Sequence, residues 1–225
     1  MLIDPLPHHY PLKMSLLQYF PIPTEELSII KQEYKAPNLS VDYYPKILTT
    51  LEIDHWYRKL EDRFSDSSRS TMFGNEGLIY TTVYRGETNH YQVEPWTSIP
   101  GLIDLKQKVE ELTGETFTVV AIKCYVNGKK GIAPHRDKEM IEGTKIAGLS
   151  FGSKRTLTFT KPFDLYAHQP HHTRQTYDTI SIPLASGSLY VMNPPTNQKW
   201  LHSIEKDSTV KLPRFVLTFR NYVEA

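Results

Sequence analysis

Several side chains in this 225-residue sequence have the types and spacing that chemistry needs. His135 and Asp137 stand two apart, an interval at which a β-strand turns both side chains to one face, where they could share a metal ion. A third ligand is required. His202, within Lys199-Trp200-Leu201-His202-Ser203 on an expected strand, is the natural candidate. Two histidines and a carboxylate leave open positions on an octahedral metal, the set typical of non-haem Fe(II) oxygenases; zinc hydrolases also use such ligands. The plain alternatives are a surface His-Asp pair and a core histidine.

In Arg214-Phe215-Val216-Leu217-Thr218-Phe219-Arg220 the odd positions form an apolar face, and the even ones put two guanidiniums on the other. An unpaired arginine on an apolar strand is costly. A dicarboxylate would supply its partner, since arginine is the preferred carboxylate clamp; structural salt bridges are the alternative. Tyr125 and Lys123 alternate with Ile122, Cys124 and Val126. If that second set packs into a core, the phenol and the ammonium face the metal's cavity and could hold an acid group. A hydrolytic zinc site has no need of a dicarboxylate clamp, whereas an oxygenase consuming 2-oxoglutarate does, so the arginines favour Fe(II), 2-oxoglutarate and O2.

The elements that must position these residues follow from periodicity. Prolines crowd the first 45 residues, which predicts an extended arm with one short helix near Glu25–Glu33, capped by Thr24. A second helix is expected over Leu51–Arg63, followed by a polar loop. A third carries Leu102, Leu105, Val109 and Leu112 at three- and four-residue steps, with Gly114 where a C-cap belongs. Beyond Gly114 the period becomes two. Phe117–Val126, Ile146–Phe151, Arg155–Thr160, Thr179–Leu184, Ser188–Met192 and Phe215–Val223 read as strands, separated by turns such as Asn127-Gly128 and Ser186-Gly187. Many short strands without intervening helices argue for a barrel or a double-sheet jelly roll.

Composition bounds the classes. Hydrophobic content of 39% and charged content of 23% are those of a globular chain. Cys124 is the only cysteine, which excludes an internal disulfide and a cysteine-rich zinc cluster. No apolar run is long enough to cross a membrane, and Met1–Lys13 does not read as a secretion signal. An intracellular protein, nuclear or cytoplasmic, without membrane association and acting as a monomer is expected. Acidic side chains outnumber basic ones before residue 116 and basic ones predominate after it, a polarity that would attract phosphates to the C-terminal half. His168–Arg174 reads as a solvent-exposed loop.

Taken in order, Tyr125, His135-Arg136-Asp137, Ile146–Gly152, Gly187–Asn193, Thr196-Asn197, Trp200, His202-Ser203, Pro213-Arg214 and Leu217–Arg220 resemble the AlkB-type dioxygenases. These are Fe(II)- and 2-oxoglutarate-dependent enzymes that remove alkyl groups from nucleic-acid bases; the resemblance is strongest to eukaryotic members acting on alkylated DNA. It runs from about Arg69 to Arg220 and includes Phe73–Tyr80 and Pro95-Trp96, which are similar to the nucleotide lid and the segment after it. The implied fold is mainly β with flanking helices, a double-stranded β-helix (jelly roll) with an N-terminal helical and lid extension. Residues 1–68 would be the arm and helices, and residues 69–225 the dioxygenase domain with its lid at about 69–96.

The resemblance implies a role for each residue. His135, Asp137 and His202 would bind iron. Tyr125 and Arg214 would hold the distal carboxylate of 2-oxoglutarate, with Lys123 beside the cosubstrate, and Arg220 would sit near the chelating carboxylate. Tyr80 or Tyr84 would stack on a flipped base; Glu139 would contact the base edge, and Arg69 would start the lid. This sequence departs from the family at Lys123 and Val216, where asparagine is usual, and at Lys138, which replaces an acid. The basic run by which duplex-preferring members grip the opposite strand is replaced by Ile204-Glu205-Lys206-Asp207, which leaves single-stranded DNA or RNA open as a substrate. The expected reaction is oxidative demethylation of alkylated DNA or RNA, releasing formaldehyde, succinate and CO2. The rivals are the same chemistry on a methylated protein or small molecule, and a metal-free jelly roll that binds single strands.

Overall fold

The computed structural model describes residues 25–65, 70–84, 87–138, 141–162 and 179–222. It opens with a β-hairpin, β1 (Gln32–Ala36) and β2 (Leu39–Tyr44), turned at Asn38, whose φ of 63° suits a short polar side chain. Helix α1 (Thr50–Phe64) starts at a capping box in which Thr49 and Glu52 satisfy each other's backbone N–H, and it buries Trp56, Leu60 and Phe64. Then come β3 (Thr71–Gly74), β4 (Ile79–Tyr84), β5 (Glu87–Gln92) and β6 (Glu94–Pro95). Helix α2 (Leu102–Thr113) buries Leu102, Leu105 and Val109 and ends on left-handed Gly114, φ 64°. The remaining elements are β7 (Val119–Tyr125), β8 (Ile132–His135), β9 (Ile146–Gly152), β10 (Arg155–Thr160), β11 (Thr179–Leu184), β12 (Leu189–Asn193), α3 (Thr196–Lys199), β13 (Leu201–Ile204) and β14 (Arg214–Arg220).

The strands form a large sheet, β1-β2-β12-β9-β14-β7-β3-β6, a smaller one, β11-β10-β13-β8, and a separate β4-β5 hairpin. Pairing is antiparallel except between β3 and β6. Two apolar clusters occupy opposite faces of the large sheet. One packs Ile122, Phe215, Leu217 and Phe219 against Trp56, Leu60, Leu102 and Val109 of the helices. The other joins Tyr125, Tyr190 and Val216 to Leu157, Phe159 and Ile204 of the small sheet. Two sheets facing each other over a common core make the expected jelly roll, with helices covering the outer face.

The expected helix near Glu25–Glu33 does not form. Residues 25–31 have no regular structure and β1 starts at Gln32. Ile29 and Ile30 are exposed, at 42% and 60%, so no apolar stripe holds a helix there, while Lys31 pairs with Glu33 (2.7 Å). Residues 32–44, read as part of the arm, pair through β2 with β12 and so belong to the large sheet. Thr24, Arg69, Glu139, His168–Arg174 and most of the polar loop after α1 lie outside the described residues.

Candidate metal and cosubstrate site

The strand β14 shows how the sequence builds the site. Its odd residues, Phe215, Leu217 and Phe219, are fully buried toward the helices. Its even residues, Arg214, Val216, Thr218 and Arg220, line a cavity of about 60 Å³ on the other face. Tyr125 lies opposite Arg214 in the β7 register and joins that lining, whereas Ile122 and Cys124 turn into the helix-side core. The wall from the small sheet is Ile132, His135, Leu157, His202 and Ile204.

His135 and His202 are register partners on β8 and β13, with ring centroids 4.3 Å apart. Asp137 is the third member, and one donor atom from each of the three lies within 4.8 Å of the others. His135 Nε2 is 3.6 Å, and His202 Nε2 4.0 Å, from Asp137 Oδ1. Contrary to the expectation from the two-residue interval, strand alternation does not turn Asp137 inward, because β8 ends at His135. Asn197 does that work. Its side chain accepts from Asp137 N–H (2.9 Å) and donates to Asp137 C=O (2.8 Å), fixing the loop backbone from both sides.

Protonation suits ligation. His135 Nδ1 faces the Ala133 carbonyl at 2.9 Å, so it carries the proton and leaves the Nε2 lone pair free. Burial pulls the His135 pKa down, but Asp137 and that carbonyl outweigh it and raise it overall. Burial holds His202 neutral down to about pH 4, with His135 and Arg220 adding to the effect. For Asp137, burial favours the acid form, yet Arg220 and the two imidazoles prevail and keep its carboxyl well below the usual range. Arg220 Nη2 stands 3.4 Å from Asp137 Oδ2, which accepts no hydrogen bond. Two imidazoles and one carboxylate are the donor set of a non-haem Fe(II) centre, where ligation by His135 would displace the proton that its raised pKa favours.

Arg214 is 1% exposed, and among the described residues its side chain makes one hydrogen bond, from Nη2 to Ser150 Oγ (3.0 Å). Its buried Nε and Nη1 have no partner, and it makes no ion pair with any described residue. A guanidinium so placed lacks an anion, and a carboxylate is the group that fits it. Lys123 is not in the cavity lining; its ammonium lies 5.6 Å from the centre of the Tyr125 ring, and burial followed by Arg220 lowers its pKa. Tyr80 packs on Tyr222 and Tyr91, with centroids at 4.7 and 6.2 Å, rather than lining the cavity. Tyr222 anchors this hairpin: its hydroxyl accepts from Thr81 N–H (2.6 Å) and donates to Thr81 C=O (2.5 Å). Tyr84 ends β4, paired with Glu87.

Sequence reasoning gave no role to Asn197, Ser150 or Tyr190. Tyr190 lines the cavity, its phenol pushed up to about 12 by burial and by Asp137. Its ring fits because residue 148 is glycine: a Cβ there would lie 2.2 Å from the ring. The alternation of β12 could have flagged Tyr190. Asn197 and Ser150 stand within motifs that carry the family resemblance, but nothing local gives their roles, which come from contacts distant in sequence.

A profile of the 2OG-Fe(II) oxygenase superfamily matches residues 40–220. The mouse DNA oxidative demethylase ALKBH2 is 34% identical over 205 residues, 83% of this chain and 81% of that protein. Human ALKBH2 is 34% identical over 183 residues, where the match spans 80% of this chain and 64% of the relative. Human alpha-ketoglutarate-dependent dioxygenase alkB homolog 3 is 35% identical over 126 residues, 54% of this chain and 42% of that one. The solved structure of OsALKBH1 superposes with a TM-score of 0.51 at 12% identity, over 86% of this chain and all of that one, a likeness of fold.

Proposed function

Since the chain belongs to the 2OG-Fe(II) oxygenase superfamily, as an AlkB-type dioxygenase, we propose that it oxidatively demethylates alkylated bases in DNA. The observation that carries the reading is one cavity bordered both by two imidazoles with a carboxylate and by a buried guanidinium lacking an acid. Held by these residues, Fe(II) with 2-oxoglutarate and O2 would supply the oxidising power for hydroxylating an N-methyl group, the cosubstrate leaving as succinate and CO2. The hydroxymethyl group then leaves the base nitrogen as formaldehyde.

In this reading the chain's own residues bind, orient and exclude water. His135 and His202 offer Nε2 lone pairs and Asp137 a carboxylate oxygen to the iron. Arg214 and Tyr125 take the distal carboxylate of 2-oxoglutarate, and Arg220 stands beside the metal end. Lys123 adds positive charge near the cosubstrate. The β4-β5 hairpin, with Tyr80 and Tyr84, and Arg69 and Glu139 meet the substrate strand. The site is assembled from one chain, which suits a monomer, and a DNA substrate suits work in the nucleus or cytoplasm.

The test is incubation of purified protein, Fe(II) and 2-oxoglutarate with methylated single- and double-stranded DNA, methylated RNA and methylated peptides. Succinate, formaldehyde and base masses are followed. DNA oligonucleotides are expected to lose methyl groups with equal formation of formaldehyde. Succinate formation with peptides alone, or with none of these substrates, would overturn the proposal.

A further inference from the structure

Tyr125 is surrounded by positive charge. The Arg214 guanidinium lies 5.4 Å from its ring centre, the Lys123 ammonium 5.6 Å and the Arg155 guanidinium 6.0 Å. Arg155 is the unexpected one. It begins β10 in the small sheet, whereas Arg214 is on β14 of the large one; it is only 3% exposed and is not among the residues lining the cavity. Its Nη2 donates to the carbonyls of Lys130 (2.9 Å) and Glu205. Its Nη1 is buried without a partner, and it makes no ion pair with any described residue. Asp207 is bonded to Thr209, and those bonds, with the Arg155 charge adding to them, hold its carboxyl below the usual range, but it makes no ion pair with Arg155.

A strut between two carbonyls needs donors, not a charge; any neutral amide would serve. Burying a full positive charge for that task alone is unfavourable unless an anion arrives to share it. Resting on the oxygenase reading above, we propose that Arg155 is a positioning residue for 2-oxoglutarate: from the small sheet it places a second guanidinium beside the Tyr125 ring, and its charge, acting through Tyr125, favours a cosubstrate with a distal carboxylate. The selectivity for a dicarboxylate over a 2-oxo monoacid then depends on Arg155 as well as on Arg214.

The experiment is anaerobic titration calorimetry of the Fe(II)-loaded protein with 2-oxoglutarate and with 2-oxopentanoate, which keeps the metal-chelating end and lacks the distal carboxylate. Arg155→Gln removes the charge and keeps an amide donor on a shorter side chain, any loss of the strut weakening both acids alike; Arg155→Lys retains the charge. We expect Arg155→Gln to weaken 2-oxoglutarate by on the order of tenfold, the loss of one nearby buried positive charge, and to leave 2-oxopentanoate within about twofold. Arg155→Lys is expected to restore most of the difference. The ratio of the two affinities is insensitive to the fraction of protein folded. Equal weakening of both acids, or no change with Arg155→Gln, would overturn the inference and leave Arg155 a strut. Failure of the unsubstituted protein to bind either acid would instead overturn the oxygenase reading on which it rests.

Discussion

Asp137 illustrates how far single residues can be read and where they depend on others. Its carboxylate type and its interval from His135 are visible in the sequence, but strand alternation does not aim it. Asn197, sixty residues away, grips its backbone at both N–H and C=O. We therefore expect Asn197→Ala to lower metal affinity about 10–100-fold, the usual effect of losing an outer support of a ligand, with His135 and His202 unchanged. Competitive titration with a metal-sensitive dye measures this; unchanged affinity would show the loop to be self-supporting. Arg214, Arg220, Tyr125 and His202 were legible because each alternates with apolar neighbours on a strand. Asn197, Ser150 and Arg155 were not, because what defines them is a partner in another element.

The elements were legible where periodicity was strong. α2 matches its apolar steps and its Gly114 cap, α1 falls within a residue of the expected Leu51–Arg63, and the strands after Gly114 fall within a few residues of the alternating runs. The hairpin β1-β2 was missed because its residues are polar and mostly exposed in β1, and its hold on the fold comes from β2 pairing with β12. The fit between β9 and β12 is invisible in either strand alone. Gly148 stands opposite Tyr190, and its missing side chain makes room for that ring. Gly148→Ala is expected to destabilise the protein by about 1–3 kcal/mol through overpacking, lowering Tm by roughly 2–10 °C. It should also weaken 2-oxoglutarate binding as the ring shifts into the cavity. Thermal melts and calorimetry check both, and an unaltered Tm would mean that Tyr190 has room elsewhere.

The whole molecule holds cationic groups in reserve at its centre. Arg214 is buried with unmade hydrogen bonds, and Asp137 stands among imidazoles. Ligands that complete these contacts bind the folded state alone. Saturation at a hundred times Kd adds about 2.7 kcal/mol, so Mn(II) with 2-oxoglutarate should raise Tm by roughly 5–10 °C. Each alone should do less. Differential scanning fluorimetry reads the shift, and its absence would mean that the cavity does not take these ligands. β14 carries a further consequence. It runs between β9 and β7, in a sheet with helices behind it and the cavity in front, so neither side of the strand is spare. Side chains alternate between the two sides, so deleting one codon inside this stretch would exchange phenylalanines for arginines throughout its remainder. Such a frameshift of geometry would abolish folding and ligand capture together, and no compensating substitution at one position could restore either.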